Sequence, residues 1–304
     1  SVPVHEYLPV VYLSPNDFYF HASTGNLQTW SSYGDWVAGL LQDRQDLPES
    51  IVSEINKLTE DVTDNPRMMA KRIYELMQSQ TRYVSIQLGI GGFQPFPASM
   101  VANTGFGDCK ALSNYTMAML QAVGIESYYT EIGAGRRYIH FADFPSLDQT
   151  NHAILCVPFD SDTVWLECTS QRYPFGYVPA SLQYRKALVV AEGGSKLVKM
   201  PAMSAHENLM ELTMEIAVEG SGNAEATLQT TYKGIQVESV FPEVWQSRKE
   251  QLEAIGSRYA IPGTSIRDFS MELFDEDEIF ANETLTLSIN NLSLIHISEP
   301  TRPY

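Results

Sequence analysis

The sequence predicts an α+β fold in which a helical first part gives way to antiparallel β structure. Three observations predict it. Across residues 48–80 and again over 109–124 apolar side chains recur at spacings of three and four, the period of helices with one buried face. From about Ser127 the period falls to two, and two such runs flank the turn-forming stretch Pro158-Phe159-Asp160-Ser161-Asp162. Beyond Pro201 the strand pattern dominates as far as Asn291, with one helical interruption.

Taken in order, residues 1–47 are rich in aromatics and turn formers, and read as the tail of an upstream region packed on the core. Within them Val10-Val11-Tyr12-Leu13 is a short strand candidate, and Ser31-Ser32-Tyr33-Gly34-Asp35 opens a short helix. Ile51, Ile55, Leu58 and Val62 form one apolar stripe. Asn65-Pro66 then supplies an N-cap and a first-turn proline, and Met69, Ile73, Leu76 and Met77 carry the next helix to about Gln80. Such methionine and leucine stripes are core by pattern rather than cofactor contacts. Arg82-Tyr83-Val84-Ser85-Ile86 reads as a strand and residues 89–97 as a loop fixed by glycine and proline. The glycines there lack the spacing of a phosphate cradle.

A helix with Leu112, Tyr115, Thr116, Met119, Leu120 and Val123 on one face runs to Gly124, and the strand Ser127-Tyr128-Tyr129-Thr130-Glu131-Ile132 follows. After a long polar loop at 133–150 come two strands, 151–157 and 163–169. In the last third, Leu212, Met214, Ile216 and Val218 alternate, Gly220-Ser221-Gly222-Asn223 turns the chain, and residues 224–232 return. A helix over about 235–259 is interrupted or started at Pro242, and strands near 266–273 and 279–289 complete a mostly antiparallel β-domain. The expected organisation is therefore an upstream tail at 1–47, a core at 48–190 and a C-terminal β-rich domain at 201–291.

Composition narrows the function. The 304 residues suffice for two domains, and 44% hydrophobic content supports real cores. A net charge of -17, from 37 acidic and 20 basic residues, argues against nucleic acid as a partner, because phosphate-backbone binding needs clustered Lys and Arg. The acidity reads as a soluble surface. No apolar run approaches the roughly 20 residues of a membrane span. The chain starts at Ser1 without a signal-peptide pattern and reads as a processed or truncated product. Three cysteines, Cys109, Cys156 and Cys168, make no disulfide framework. Cys and His show no zinc spacing, so neither a metal nor a cofactor is expected.

Cys109 has an informative address. Gly105-Phe106-Gly107 makes a tight approach, Asp108 stands at an N-cap position, and Cys109 opens the helix. Free backbone N–H groups and the positive helix end make that place favourable for a nucleophile. The hairpin adds two further groups. Pairing centred near residue 160 puts His152 opposite Glu167, about 5 Å apart at Cβ, on a face shared with Ile154, Cys156, Trp165 and Thr163. Cys168 then faces the other way, which makes a Cys156–Cys168 bridge geometrically unfavourable. Nucleophile, imidazole and orienting carboxylate thus stand in chain order. Hairpin logic alone leaves open that His152 is a satisfied polar residue at a strand end and Glu167 a solvated one.

Gly107-Asp108-Cys109-Lys110, then Asn151-His152-Ala153, then Trp165-Leu166-Glu167-Cys168-Thr169 resembles the transglutaminase-like superfamily of cysteine enzymes. The nearest pattern is the bacterial group, typical of exported Bacteroidetes proteins, in which this core lies between β-rich domains of unknown function. The match covers roughly residues 48–190, including the stretch Arg82-Tyr83-Val84-Ser85-Ile86-Gln87-Leu88-Gly89-Ile90-Gly91-Gly92.

That resemblance implies a papain-like α+β core, a catalytic Cys109–His152–Glu167 triad, and thiol-dependent acyl transfer or hydrolysis on a peptide or amine substrate. It also implies a periplasmic or otherwise exported location. The superfamily more often has Asp at the third position. It includes transglutaminases, proteases, deamidases and members with no known activity, and the sequence does not choose among them. The implied oxyanion hole includes the Cys109 backbone N–H, with Gln94 as the candidate second donor, its other reading being loop capping. The alternative function is a catalytically silent module whose groove holds a peptide or envelope component.

Residues 292–304 stand apart. They look like the conceptual translation of a transposase-type sequencing adapter, which would make them a library scar, with the natural protein continuing past Asn291 and His296 carrying no role.

Overall fold

A computed structural model describes residues 11–259, 262–274 and 279–292. It is a mixed α+β structure with a helical N-terminal part and antiparallel sheets later, and it divides into two compact units between Ala202 and Met203.

In the first unit a hairpin of β1 (Asp17–Phe20) and β2 (Ser23–Asn26) precedes α1 (Trp30–Leu41). The Thr29 side chain caps α1 by accepting from the Ser32 N–H at 3.0 Å, and Ser32 returns the bond to the Thr29 N–H. The helix outruns the short one expected. No strand forms over residues 11–13, because nothing pairs with them, and Val10 lies outside the described residues. Next come α2 (Glu49–Thr59) and α3 (Pro66–Gln80), the latter capped by Asn65, whose side chain accepts from the Met68 N–H at 3.0 Å, with Pro66 at its start as the sequence indicated.

The strand expected over residues 82–86 shrinks to β3 (Arg82–Tyr83), and a 3-10 turn at Gly89–Gly92 follows. β3 pairs in parallel with β4 (Phe106–Gly107), which follows α4 (Ala98–Thr104). Only two rungs form, because a partner this short cannot extend them. At the end of α4, Gly105 adopts φ 68°, and a Cβ there would lie 3.1 Å from the Gln80 carbonyl.

α5 (Cys109–Ala122) lies on one face of a five-stranded antiparallel sheet. Its strands are β5 (Tyr128–Ile132), β6 (His152–Pro158), β7 (Thr163–Leu166), β8 (Lys186–Val189) and β9 (Lys196–Lys199), in the order β7-β6-β5-β8-β9. Leu112, Tyr115, Met119 and Leu120 pack against Leu155, Val157, Val164 and Leu166 and against α3. The opposite face buries Ile132, Ile154, Cys156, Trp165 and Val189. Cys156 and Cys168 therefore belong to different faces.

The register of the β6–β7 hairpin corrects the expected pairing. Leu155 faces Leu166, Cys156 faces Trp165 and Pro158 faces Thr163, two residues displaced from the centred arrangement. The turn is tighter than supposed, closed by the Phe159 N–H donating to the Asp162 carbonyl at 2.8 Å. A two-residue shift keeps each side chain on its face. It does take His152 off the rung of Glu167, which is level with Ile154 just past the end of β7.

The second unit holds β10 (Met210–Val218), β11 (Ala224–Lys233), α6 (Phe241–Val244), α7 (Arg248–Arg258), β12 (Thr264–Phe274) and β13 (Phe280–Ile289). The strands form one antiparallel sheet in the order β10-β11-β13-β12. The single helix expected over 235–259 is instead a 3-10 turn, Gly234–Ser239, and two helices. Pro242 opens the first, and a Ser247–Glu250 capping box starts the second. Of the expected adapter scar, Leu292 is half-buried against the apolar cluster of the second unit, and residues 293–304 lie outside the described residues.

Candidate active site

The start of α5 is fixed by its own cap. The Asp108 side chain accepts from the Ala111 N–H at 2.9 Å, and its other oxygen pairs with the Lys110 ammonium in a buried contact. Gly107 lets the chain pass close to the helix, since a Cβ there would lie 2.9 Å from Ala111 Cβ. Cys109 is thus set at the first helical position, 4% exposed, packed with Tyr129, Ala153 and Leu188.

His152 opens β6 opposite Ile132, the last paired residue of β5. Behind it, Ser113 Oγ donates to the Ala153 carbonyl at 3.2 Å, tying α5 to β6 one residue from the imidazole. Glu167 leaves β7 as the strand ends, and its carbonyl accepts from Tyr74 Oη at 2.8 Å, which anchors it to α3. Its Oε2 meets His152 Nε2 at 2.6 Å. Its Oε1 accepts from the Thr169 N–H at 2.9 Å and Thr169 Oγ1 at 2.5 Å. The carboxylate is therefore fully engaged, and the additional methylene of Glu spans the diagonal that the register opens.

The electrostatics follow from that contact. Burial opposes a charge on His152, but the Glu167 carboxylate and a hydrogen bond with Cys109 outweigh it and hold the imidazolium well above the ordinary imidazole value. Burial likewise opposes the Glu167 charge, and the attraction and hydrogen bond of His152, with those of Thr169, hold it below the usual carboxylate range. Since Nε2 is taken by Glu167, Nδ1 is the ring nitrogen left for Cys109. The other two thiols are pushed up by burial, Cys156 to about 11 and Cys168 to about 12.

Cys109 and His152 share a cavity of about 550 Å³, whose walls also include Tyr83, Gln87, Tyr129, Glu131 and Asn151. A larger cleft, about 720 Å³, lies on the other face of the sheet beside Cys156, Trp165 and Lys196, but no imidazole lines it. Of the residues singled out in sequence, Cys109, His152 and Glu167 come together. Gln94 does not join them. Its Nε2 donates to the Leu40 carbonyl at 3.3 Å, a loop-fastening role, and Gln87 is the glutamine on the cavity wall.

Sequence reasoning missed Gln87, Lys110, Tyr129 and Glu131. The signal for the last two was the alternation of β5, which turns Tyr129 and Glu131 to the side of α5. Among the described residues no cluster of His, Cys, Asp and Glu could hold a metal ion, and no helix is long and apolar enough to cross a membrane.

Comparison with solved structures finds a distant resemblance to a protein described as a "putative protease" from Parabacteroides distasonis ATCC 8503. The sequence identity is 12% and the TM-score 0.43, over 84% of this chain and 52% of that one, so the chain spans about half of that protein's length. No family model matches the sequence. No curated protein matches it either.

Proposed function

We propose that this protein is a transglutaminase-like cysteine enzyme with a papain-like core, cleaving or transferring amide acyl groups through Cys109, His152 and Glu167. The observation that carries the reading is the 2.6 Å contact between His152 and Glu167, with the helix-start thiol of Cys109 on the wall of the cavity that His152 lines. Thiol, imidazole and carboxylate in that relation are the parts of a nucleophile, its proton carrier and an orienting group.

In this mechanism the thiolate of Cys109 attacks the amide carbonyl carbon, and the electron pair of the C=O bond moves to oxygen. In this reading the Cys109 backbone N–H binds that oxyanion, and Gln87, which lines the same cavity, supplies the side-chain amide. The His152 imidazolium gives its proton to the leaving nitrogen as the C–N bond breaks, leaving a thioester and a neutral imidazole. His152 then takes a proton from water or an incoming amine as that group attacks the thioester carbon. Collapse releases the acid or the new amide and restores the thiolate–imidazolium pair. Glu167 keeps its charge throughout and stabilises the imidazolium.

The test is mass spectrometry of a peptide and amine library incubated with wild type and Cys109→Ala. Products that appear with wild type alone support the enzyme, and their masses distinguish hydrolysis from transamidation. A library left unchanged by wild type while peptides are retained on the protein would favour the silent binding module instead.

A further inference from the structure

Glu131 is the acidic group on the cavity wall that the triad chemistry does not use; burial raises its pKa, against the hydrogen bonds of Tyr33 and Thr150 and the attraction of Lys110. It is 6% exposed, yet both hydroxyls that reach it, Tyr33 Oη at 2.7 Å and Thr150 Oγ1 at 2.9 Å, bind the same oxygen, Oε2. Among the described residues no donor reaches Oε1. That oxygen is not sealed off, and Glu131 forms part of the cavity wall. Two residues earlier on the same face, the Tyr129 hydroxyl is buried with no hydrogen-bond partner.

Position relates these groups to the thiol. Glu131 faces Ala153, one rung from the Ile132–His152 pair, and Tyr129 packs in the same cluster as Ala153 and Cys109. The charge count leaves a carboxylate over. The nearby Lys110 ammonium is already paired with Asp108, so one cation serves two carboxylates. Arg137, also on the wall, directs its guanidinium to the Asp148 carbonyl at 2.7 Å. A buried carboxylate with an open oxygen gains most from a cationic N–H donor, since hydrogen bonds between charged partners are about twice as strong as neutral ones.

We propose that Glu131 is a subsite for a primary ammonium group of the substrate, held through Oε1 in the cavity that Cys109 also lines. This deepens, and rests on, the acyl-transfer reading. The ammonium has two possible sources: a free amino terminus next to the scissile carbonyl, or the amine that accepts the acyl group.

The test is the rate of Cys109 alkylation by iodoacetamide in the full chain, read by peptide mass spectrometry against increasing glycinamide, n-butylamine or N-acetylglycinamide. Saturable protection by an amine, absent with N-acetylglycinamide, is the expected result. Glu131→Gln should weaken that protection by at least about tenfold, each protein being referred to its own amine-free rate. Protection by glycinamide alone assigns the ammonium to an acyl donor's amino terminus. Protection by n-butylamine as well, or alone, assigns it to an acceptor amine.

Equal protection by N-acetylglycinamide, protection by neither amine, or protection unchanged in Glu131→Gln overturns the subsite. Should the variant not fold, the wild-type contrast between glycinamide and its acetylated form decides by itself. Failure of the acyl-transfer reading looks different: Cys109 would then react no faster than Cys156 and Cys168 with no amine present.

Discussion

At the scale of single residues, three thiols share one unit and their surroundings assign them different work. Burial pushes Cys156 to about 11 and Cys168 to about 12, so neither supplies useful thiolate at neutral pH. Cys109 alone shares a cavity with the imidazole of His152 and stands at a helix start. Iodoacetamide at pH 7 should therefore label Cys109 at least about tenfold faster than the other two, as peptide mass spectrometry would measure. Equal labelling would remove the nucleophile from the proposal. Cys109→Ser should abolish turnover at little cost in stability, and Glu167→Gln should cost less activity than replacing His152, because the orienting group is the least indispensable of the three. Glu167→Gln has its own signature in stability. His152, held above its ordinary value, contributes fully below about pH 6.5 and less as pH climbs through the raised value. Glu167, held low, contributes fully above about pH 4.3 and less as pH falls through the lowered value. Both are complete between roughly pH 4.5 and 6.5, where wild type should exceed Glu167→Gln by about 1–3 kcal/mol in urea unfolding. The difference should shrink on the alkaline side; a pH-independent difference would mean the two groups are not coupled.

At the scale of elements, the site depends on how α5 begins. Asp108 has two jobs, capping the Ala111 N–H and neutralising the buried Lys110. Asp108→Asn keeps the first and loses the second, whereas Asp108→Ala loses both. The order of stability should be wild type, Asn, Ala, with the cap alone worth about 1 kcal/mol and the stranded ammonium adding to it. Equal melting of the Asn and Ala variants would show that the cap contributes nothing. The α5 start was readable from sequence because a cap, a nucleophile and a 3.6-residue stripe all fall within a few residues of one another. The α3 start was readable for the same reason, in Asn65 and Pro66. What sequence misplaced depends on partners distant in the chain. The β6–β7 register slipped by two because the turn is closed by a Phe159–Asp162 bond that composition does not specify. β3 stopped at two residues because its partner β4 is just as short. β8 and β9, four residues each, were too short to show a period against their turn-rich surroundings. Gln94 is a candidate by its place in a glycine-proline loop, yet the side-chain direction in such a loop is set by tertiary contacts, here the Leu40 carbonyl.

At the scale of the whole molecule, the change of period near Pro201 marks a physical change of core. Every apolar cluster around the candidate site draws its buried residues from Leu27 to Met200, whereas the cluster under α7 draws its own from Ala224 to Ile289. The two sheets share no strand. Each unit therefore has the means to pay its own chain entropy, the condition for folding alone. Cys109, His152, Glu167, Gln87 and Glu131 all lie in the first unit, before Ala202. A chain ending at Ala202 should consequently stay folded, show one cooperative thermal transition, and keep a Cys109 labelling rate within about threefold of the full chain, the spread expected of context effects on a single interaction. β10 is an edge strand whose Met210, Leu212, Met214, Ile216 and Val218 remain 47–58% exposed on the face that β11 buries, a pattern that invites intermolecular pairing. Leu212→Lys and Ile216→Lys should thus raise the solubility of the full chain without changing Cys109 labelling, as sedimentation and the iodoacetamide rate would report. Loss of labelling in the chain ending at Ala202, with its fold intact by circular dichroism, would instead mean that the second unit completes the site.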